Sequence, residues 1–368
     1  MHAAMSSDAP RYWVGGGGGD AAPQPGVALE VSPGVHWLRM PMPLALDHIN
    51  LWLLADGDGW TAIDSGLPTD ATRAAWEQVF AGTLQGRPLR RVLCTHMHPD
   101  HVGLTHWLCA RSGAELWMTQ GEYLSARLMS AGLEPTDPDS ALAHYRAHGA
   151  PDGELDKLSG RGNFYRRMVA QVPLRYRRIV AGEAIRIGDS DWTVIEGAGH
   201  SPEHAALWCA QHGLLISGDM LLPKISTNVS VFPIEPGADA LGRYLRALCR
   251  FEPLPAETRV LPSHGLPFIG VHGRVRQLRE HHAERLEAVM QACRAQPRSA
   301  YELLPVLFHR VLDAHQLGFA LGEAIAHAHR LYAAGLLARD DDAGVHRWRA
   351  ERLSPDAVRL AAGLDAPT

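Results

Sequence analysis

Cysteine is scarce: five occur in 368 residues, at positions 94, 109, 209, 249 and 293, with no spacing that pairs them. That argues against a disulfide scaffold and reads as a reduced, cytoplasmic protein. No run approaches the ~18 consecutive apolar residues of a membrane span. No basic segment followed by an apolar run opens the chain, as a secretory signal would require. No membrane partner is therefore expected. An excess of positive charge is also missing. Lys and Arg number 35 against 40 Asp and Glu, a formal charge of −5, so there is no global electrostatic case for nucleic acid. No repeat of fixed period is visible. What remains is an ordinary globular composition, 46% apolar and 20% charged, long enough for a sizeable core and two or three domains. One excess stands out: 21 histidines, more than structure alone needs.

Residues 1–26 carry Gly15 to Gly19 in a row, then Pro23 and Pro25, and read as a disordered arm. Strands are expected at 35–38, 49–54 and 60–63, the last two flanking the turn signal Asp56-Gly57-Asp58-Gly59. A helix follows over 69–80, capped by Thr69 or Asp70. The run Arg91-Val92-Leu93-Cys94 reads as a buried strand delivering the chain into Thr95-His96, and a helix starts near His101. Residues 120–180 read as a helical insertion. Further strands are expected at 184–187, 192–195, 205–209, 214–217 and 259–261. A connecting helix spans 271–295. The tail, 296–368, reads as three helices and a hairpin around Asp340-Asp341-Asp342-Ala343-Gly344.

The strongest chemical signal is Thr95-His96-Met97-His98-Pro99-Asp100-His101. His96, His98, Asp100 and His101 follow an apolar strand in close succession. A loop leaving a strand end aims several such groups at one point, where a continuous strand or helix would scatter them. Neutral imidazoles and carboxylates suit zinc or another first-row metal. Solvent-exposed loop histidines would explain this motif alone. They do not explain three further elements: Gly197-Ala198-Gly199-His200, Ser217-Gly218-Asp219 and Pro262-Ser263-His264-Gly265, each just past an expected strand and beside small residues that let backbone approach closely.

This ordered set resembles the metallo-β-lactamase fold superfamily, hydroxyacylglutathione hydrolase-like group, over about residues 27–270. The resemblance implies an α/β fold, a four-layer αβ/βα sandwich, and a hydrolase that uses two divalent metal ions, zinc by expectation. Carried over position by position, His96, His98 and His200 would hold the first metal. Asp100, His101 and His264 would hold the second, and Asp219 would bridge them. Asp64, in Ile63-Asp64-Ser65-Gly66, would buttress the metal loop from behind. Asp100 and Asp219 are the expected catalytic groups, acting on a water made acidic by the metals. The resemblance is selective. Antibiotic-hydrolysing classes place Cys at the Asp219 position or lack a bridging Asp, and the flavin-linked di-iron branch has Glu where His98 stands. The interval from Asp219 to His264 is too short for the nuclease branch with a large inserted domain. Single-iron sulfur dioxygenases keep much of the same motif set and stay open. The expected substrate is a small anionic thioester or activated carboxylic ester, of acyl-CoA or acyl-glutathione type. Metal-dependent RNA cleavage and lactone hydrolysis are the alternatives.

Between Arg161 and Arg178 lie six arginines and no acid (161, 166, 167, 175, 177, 178), with Phe164, Tyr165 and Tyr176 interleaved. One reading is a lid in which Arg166, Arg167 and Arg178 grip an anionic substrate. The other is a solvated face or salt bridges to the acidic remainder. The tail resembles the winged-helix domain that follows this catalytic domain in some bacterial and mitochondrial proteins. It offers a third helix at 319–331 and a wing at 337–349 tipped by three aspartates. That charge favours packing on the catalytic domain, or a homodimer, over DNA binding. His48 at a strand entrance and Asn228 after Asp219 are candidate substrate contacts, with a hydrogen-bonded structural role the alternative for His48. His204 is expected behind the metal ligands, and His281, His282, His327 and His329 at a surface or interface.

Overall fold

A computed structural model describes residues 10–13, 22–44, 46–160, 162–351 and 355–365. The glycine run Gly15 to Gly19 and Arg161 lie outside the described residues. Two seven-stranded mixed sheets face one another. In spatial order the first holds Leu29–Ser32, Val35–Pro41, His48–Asp56, Gly59–Ile63, Leu89–Leu93, Glu115–Met118 and Arg177–Arg178. The second holds Arg11–Tyr12, Phe268–Ile269, Arg259–Pro262, Leu214–Gly218, His204–Cys209, Ser190–Gly197 and Ala184–Ile187.

The period of two explains the layers. Trp37, Trp52, Leu54 and Leu93 point between the sheets, where they meet Trp192, Leu207, Leu214 and Ile216. Their neighbours Leu38, Leu51, Leu53 and Val92 point outward against Trp76, Val79 and Leu108 of the covering helices Asp70–Ala81 and Thr105–Ser112, and against Leu104, which caps the second. On the far side Ala206, Leu215 and Val260 meet Leu241, Tyr244 and Leu248 of helix Ala240–Leu248. This is the αβ/βα sandwich, and each fully buried aliphatic or aromatic side chain contributes about 1.5–3 kcal/mol to holding it.

The first covering helix starts where expected, its cap made by Thr69 Oγ1 accepting from Thr72 N at 3.1 Å. The expected arm departs from its reading at both of its described stretches: Ala22 packs on the core between the sheets and Pro23 is buried, and an edge strand lies further upstream. Arg11 and Tyr12 pair antiparallel with Ile269 and Phe268, a short edge strand that satisfies backbone groups there. Residues 120–180 hold the helices Gln120–Ala131, Pro138–Ala147, Asp152–Ser159 and Phe164–Met168. Tyr123, Ala126, Tyr165, Val169 and Val172 from this insertion close a small core over Met97 and Val102.

One helix, Val271–Ala295, spans the expected connector. In the tail, helix Ala314–Ala333 and the hairpin Leu337–Asp342 with Val345–Ala350 fall at the expected third helix and hairpin. Ahead of them, short turns at Tyr301–Leu303 and Leu304–Leu307 stand in place of two full helices. Pro305 sits in a first helical turn, where its missing N–H is tolerated, and a helix arriving from upstream could not run through it. Leu321, Ile325 and Trp348 of the tail share one apolar cluster with Leu241, Leu245 and Leu286, so the tail is fused to the outer helical layer. His282, His327 and His329 correct their surface or interface placement: they are buried within the chain, in that seam. There His327 Nδ1 donates to Glu323 O and His329 Nδ1 to Ala238 O, so both enter the core neutral and bonded. Among the described residues no helix is long and apolar enough to cross a membrane.

Candidate metal centre

The edge of the sandwich collects the chemistry because of strand direction. Gly59–Ile63 runs parallel to Leu89–Leu93, and Leu214–Gly218 runs parallel to Arg259–Pro262. Asp64, Thr95-His96, Asp219 and His264 therefore leave their strands at one edge. Ser190–Gly197 ends at the same place, and His200 follows it. Two glycines make the approach feasible. At Gly199, φ is +94° and a Cβ would fall 2.3 Å from Ala240 O. At Gly218, φ is +53° and a Cβ would fall 2.3 Å from His204 Nε2. No other residue fits either place without moving its neighbours.

The structure brings all seven expected ligand side chains together, in two corners. In the first, His96 Nε2 and His98 Nδ1 lie 3.0 Å apart, His98 Nδ1 and His200 Nε2 3.0 Å, and His200 Nε2 and His96 Nε2 3.1 Å. His200 Nδ1 donates to Asn228 O at 2.7 Å, which leaves Nε2 with its lone pair facing the others. Three mutually close imidazole nitrogens cannot all satisfy one another with protons. Their spacing is near the roughly 3.3 Å that Zn–N bonds of about 2.0–2.1 Å set between tetrahedral ligands.

In the second corner, Asp100 Oδ2 lies 3.3 Å from His264 Nε2 and 3.6 Å from His101 Nε2. His264 Nδ1 donates to His48 O at 2.9 Å, and His101 Nδ1 donates to Asp64 Oδ2 at 2.8 Å. Both rings are thereby turned so that Nε2 points inward. Asp219 stands between the corners. Its Oδ1 is 3.5 Å from His101 Nε2 and 3.5 Å from His264 Nε2, while Oδ2 is 3.4 Å from His200 Nε2. His101 Nε2 and Asp219 Oδ1 are buried polar atoms that no hydrogen bond satisfies. A divalent cation would satisfy both. Three overlapping groups, His96/His98/His200, His96/His101/Asp219 and Asp100/His101/His264, each bring their ligand atoms within 4.8 Å of one another and could hold a metal ion.

Asp64 sits behind this arrangement as expected. Its carboxylate receives Thr95 N at 2.7 Å, the Thr95 hydroxyl at 2.9–3.0 Å and the His101 ring. To do so it adopts φ +64°, a left-handed conformation that Asp tolerates better than most residues. Trp76 Nε1 fixes the following residue by donating to Ser65 O at 2.8 Å. His204 is fully buried, and its Nε2 accepts from Asp219 N at 3.1 Å.

The candidate substrate contacts fare differently. His48 Nδ1 bonds Asp47 at 2.6 Å and its Nε2 accepts from Gly265 N at 3.0 Å, so both ring nitrogens are engaged by the protein and brace the His264 loop. Asn228 braces His200 through its carbonyl, and its Oδ1 accepts from Ser230 Oγ at 2.8 Å. Arg166, Arg167 and Arg178 are exposed and line neither cavity beside the centre. Arg177 lies 3.8 Å over the Trp117 ring and pairs with Glu183 at 2.9 Å.

Sequence reasoning missed two buried tethers. Glu122 Oε2 accepts from Met97 N at 2.9 Å and Oε1 from Glu203 N at 2.7 Å, tying the His96–His98 loop to the His200 loop. Burial pushes its carboxyl up to about 7, against the pull of these amides. No spacing rule marks it. Asn50 Nδ2 donates to Pro262 O and Gly265 O, both at 2.9 Å. A polar residue inside Ile49-Asn50-Leu51-Trp52 was the available signal.

Fold and site together define a metallo-hydrolase of the metallo-beta-lactamase class. The chain belongs to that superfamily: residues 44–264 match the "Metallo-beta-lactamase superfamily" family, and residues 286–351 match "Metallo-beta-lactamase-like, C-terminal domain". It is similar to a beta-lactamase domain protein from Burkholderia ambifaria, with 48% identity, TM-score 0.86, and coverage of 93% of this chain and 98% of that one. A metallo-beta-lactamase family protein from Thermus thermophilus, TTHA1429, shares 28% identity, with TM-score 0.75 over 88% of this chain and all of that one. Among curated relatives, the probable metallo-hydrolase YqjP of Bacillus subtilis (strain 168) is 27% identical over 79% of this chain and 89% of its own. The acyl-coenzyme A thioesterase MBLAC2 of Gallus gallus is 26% identical over 51% of this chain and 63% of its own.

Proposed function

We propose that this protein is a dinuclear metal-dependent hydrolase of thioesters or activated carboxylic esters. His96, His98 and His200 hold one ion, Asp100, His101 and His264 the other, and Asp219 lies between them. The observation that carries the reading is the Asp219 carboxylate, with one oxygen turned to each corner and Oδ1 left without a hydrogen bond. The imidazole and carboxylate donor set suits zinc. Bound there, divalent ions would supply Lewis acidity, polarising a carbonyl and lowering the pKa of water toward neutrality.

The chain's own groups do the rest. Asp100 is partly exposed to the site. Burial works to raise its carboxyl, but His101 and His264 outweigh it and hold it below the usual carboxylate range, so Asp100 stands as an anion that can orient an attacking water. Asp64, Asn228 and the His48 carbonyl fix which ring nitrogens face inward. The thioester preference draws on the distant acyl-coenzyme A thioesterase relative and on the apolar walls beside the centre. Arg166, Arg167 and Arg178 are not among the residues lining the cavities, so the basic segment gives the RNA reading no support there.

The test is a turnover panel: an acyl-CoA, an acyl-glutathione, a lactone and a single-stranded RNA oligonucleotide, each before and after chelation. Chelator-sensitive cleavage of the thioesters is expected. Cleavage of RNA with none of the carbonyl compounds would reject the reading.

A further inference from the structure

Two adjoining cavities, of about 250 and 300 Å³, lie beside the centre, one reaching His98 and the other His200. They share Met97, Met129, Ala141, Tyr145 and Phe232 as a common wall. Beyond the loops of the metal motifs, the lining draws on three distant stretches of chain: the insertion with its helices Gln120–Ala131 and Pro138–Ala147, the loop after Asp219, and the tail helix through Phe319. The polar side chains on the shared wall are spent inside the protein. Thr136 Oγ1 donates to Leu133 O at 2.6 Å, Ser230 Oγ to Asn228 Oδ1 at 2.8 Å, and Tyr145 OH to Gly318 O at 3.4 Å. What that wall offers a ligand is carbon. Two of its members are methionines, whose unbranched chains adapt to flexible apolar groups. Phe319 is 45% exposed. Single exposed apolar residues are ordinary, but this ring lines a concave apolar site that abuts two of the proposed metal ligands.

We infer that the cavity between the insertion and the tail receives an unbranched apolar acyl chain, with Phe319 at its rim, and so selects substrates by acyl length. This rests on the carbonyl-hydrolase reading and supplies its missing half. The metal corners recognise the reacting carbonyl, and the insertion and tail recognise what is attached to it. The tail becomes part of the specificity apparatus.

The test reads binding without turnover. Butyrate, hexanoate and octanoate are titrated calorimetrically into the metal-loaded protein. They share one carboxylate, so differences among them report the chain. Dissociation constants should fall about fourfold for each added methylene. Phe319→Asn, at a half-exposed position, should flatten that dependence, and Ala141→Trp, which fills the cavity, should flatten it further. Equal affinities across the series, or a dependence that survives both substitutions, would overturn the inference. The two proposals fail separately. A steep chain-length dependence with no cleavage of any carbonyl compound in the panel sinks the carbonyl-hydrolase reading and leaves the cavity assignment standing. Brisk thioester hydrolysis with a flat series sinks the cavity assignment alone.

Discussion

At one corner of the centre, three imidazoles face one another; at the other, two imidazoles face carboxylates. The side chain is the same and its proton affinity is opposite. Burial, then the neighbouring imidazoles, push His96 well below its ordinary value, and burial and His200 bring His98 down to about 3. Burial also works to lower His101, but the carboxylates of Asp100, Asp64 and Asp219 outweigh it and hold it up at about 10. His264 is raised in the same way by Asp219 and Asp100. The first corner therefore presents lone pairs ready for a cation. The second answers its carboxylates with protons, which a cation must displace. Two sites in one pocket thus differ in how they meet a metal, and each prediction below presses on that difference.

The largest effect belongs to Asp219, the one side chain that serves both corners. Asp219→Ala should lower metal content from about two ions per chain toward one and cut turnover by orders of magnitude. Elemental analysis beside a thioester assay reads both. Unchanged content and turnover would dismiss the bridging assignment. Asp64→Asn should act chiefly on the second corner, because Asp64 bonds His101 directly and reaches His96 only through the Thr95 hydroxyl, which lies 3.0 Å from His96 Nδ1. Loss of a carboxylate behind a ligating histidine costs about 10- to 100-fold in metal affinity. Competition with a chromogenic chelator should show one site weakened much more than the other. Two equally weakened sites would mean the corners are not separable.

The pH dependence should split the same way. The raised His101 keeps its proton until pH rises through about 10. Affinity at the Asp100/His101/His264 corner should therefore climb between pH 6 and 9, by up to about tenfold per unit for one displaced proton. His98, already neutral well above pH 3, gives the other corner little dependence over that range. Calorimetry in buffers of different ionisation enthalpy counts the protons released, and equal release at both sites would contradict the contrast.

How much of this was readable from the chain follows from where each signal resides. The strands were legible because runs such as Leu214-Leu215-Ile216 alternate between two buried faces, and the ligands because each directly follows such a run. Asp64 was legible only through the family resemblance carried by Ile63-Asp64-Ser65-Gly66. Glu122 was not, because its partners, Met97 and Glu203, are joined to it only by the folding of the insertion. The cavity was invisible for the same reason. Met129, Phe232 and Phe319 are ordinary residues until three separate segments set them on one wall. The arginine cluster left two readings open, a lid or a salt-bridged face. A local run of charge is conspicuous in sequence, yet Arg177 is used on the Trp117 ring and Glu183 at the sheet edge.

The smallest effect tests whether the tail reaches the first corner at all. Gly322 of the tail helix packs against Ser230 so closely that a Cβ there would fall 2.6 Å from Ser230 Oγ. Ser230 Oγ holds Asn228, and the Asn228 carbonyl holds His200 in the tautomer that turns its lone pair inward. Gly322→Val must therefore either displace the 228–230 segment or bend the helix away, at a cost of about 1–3 kcal/mol in stability from overpacking. If the segment yields, metal affinity at the His96/His98/His200 corner should fall several-fold while the Asp100/His101/His264 corner keeps its affinity, the mirror image of Asp64→Asn. Thermal unfolding and chelator competition, measured on the same preparation, separate the two responses. Lost stability with both affinities intact would make the tail a packing element only. A selective loss at the first corner would mean that the tail helix helps set the geometry of a ligand it never touches.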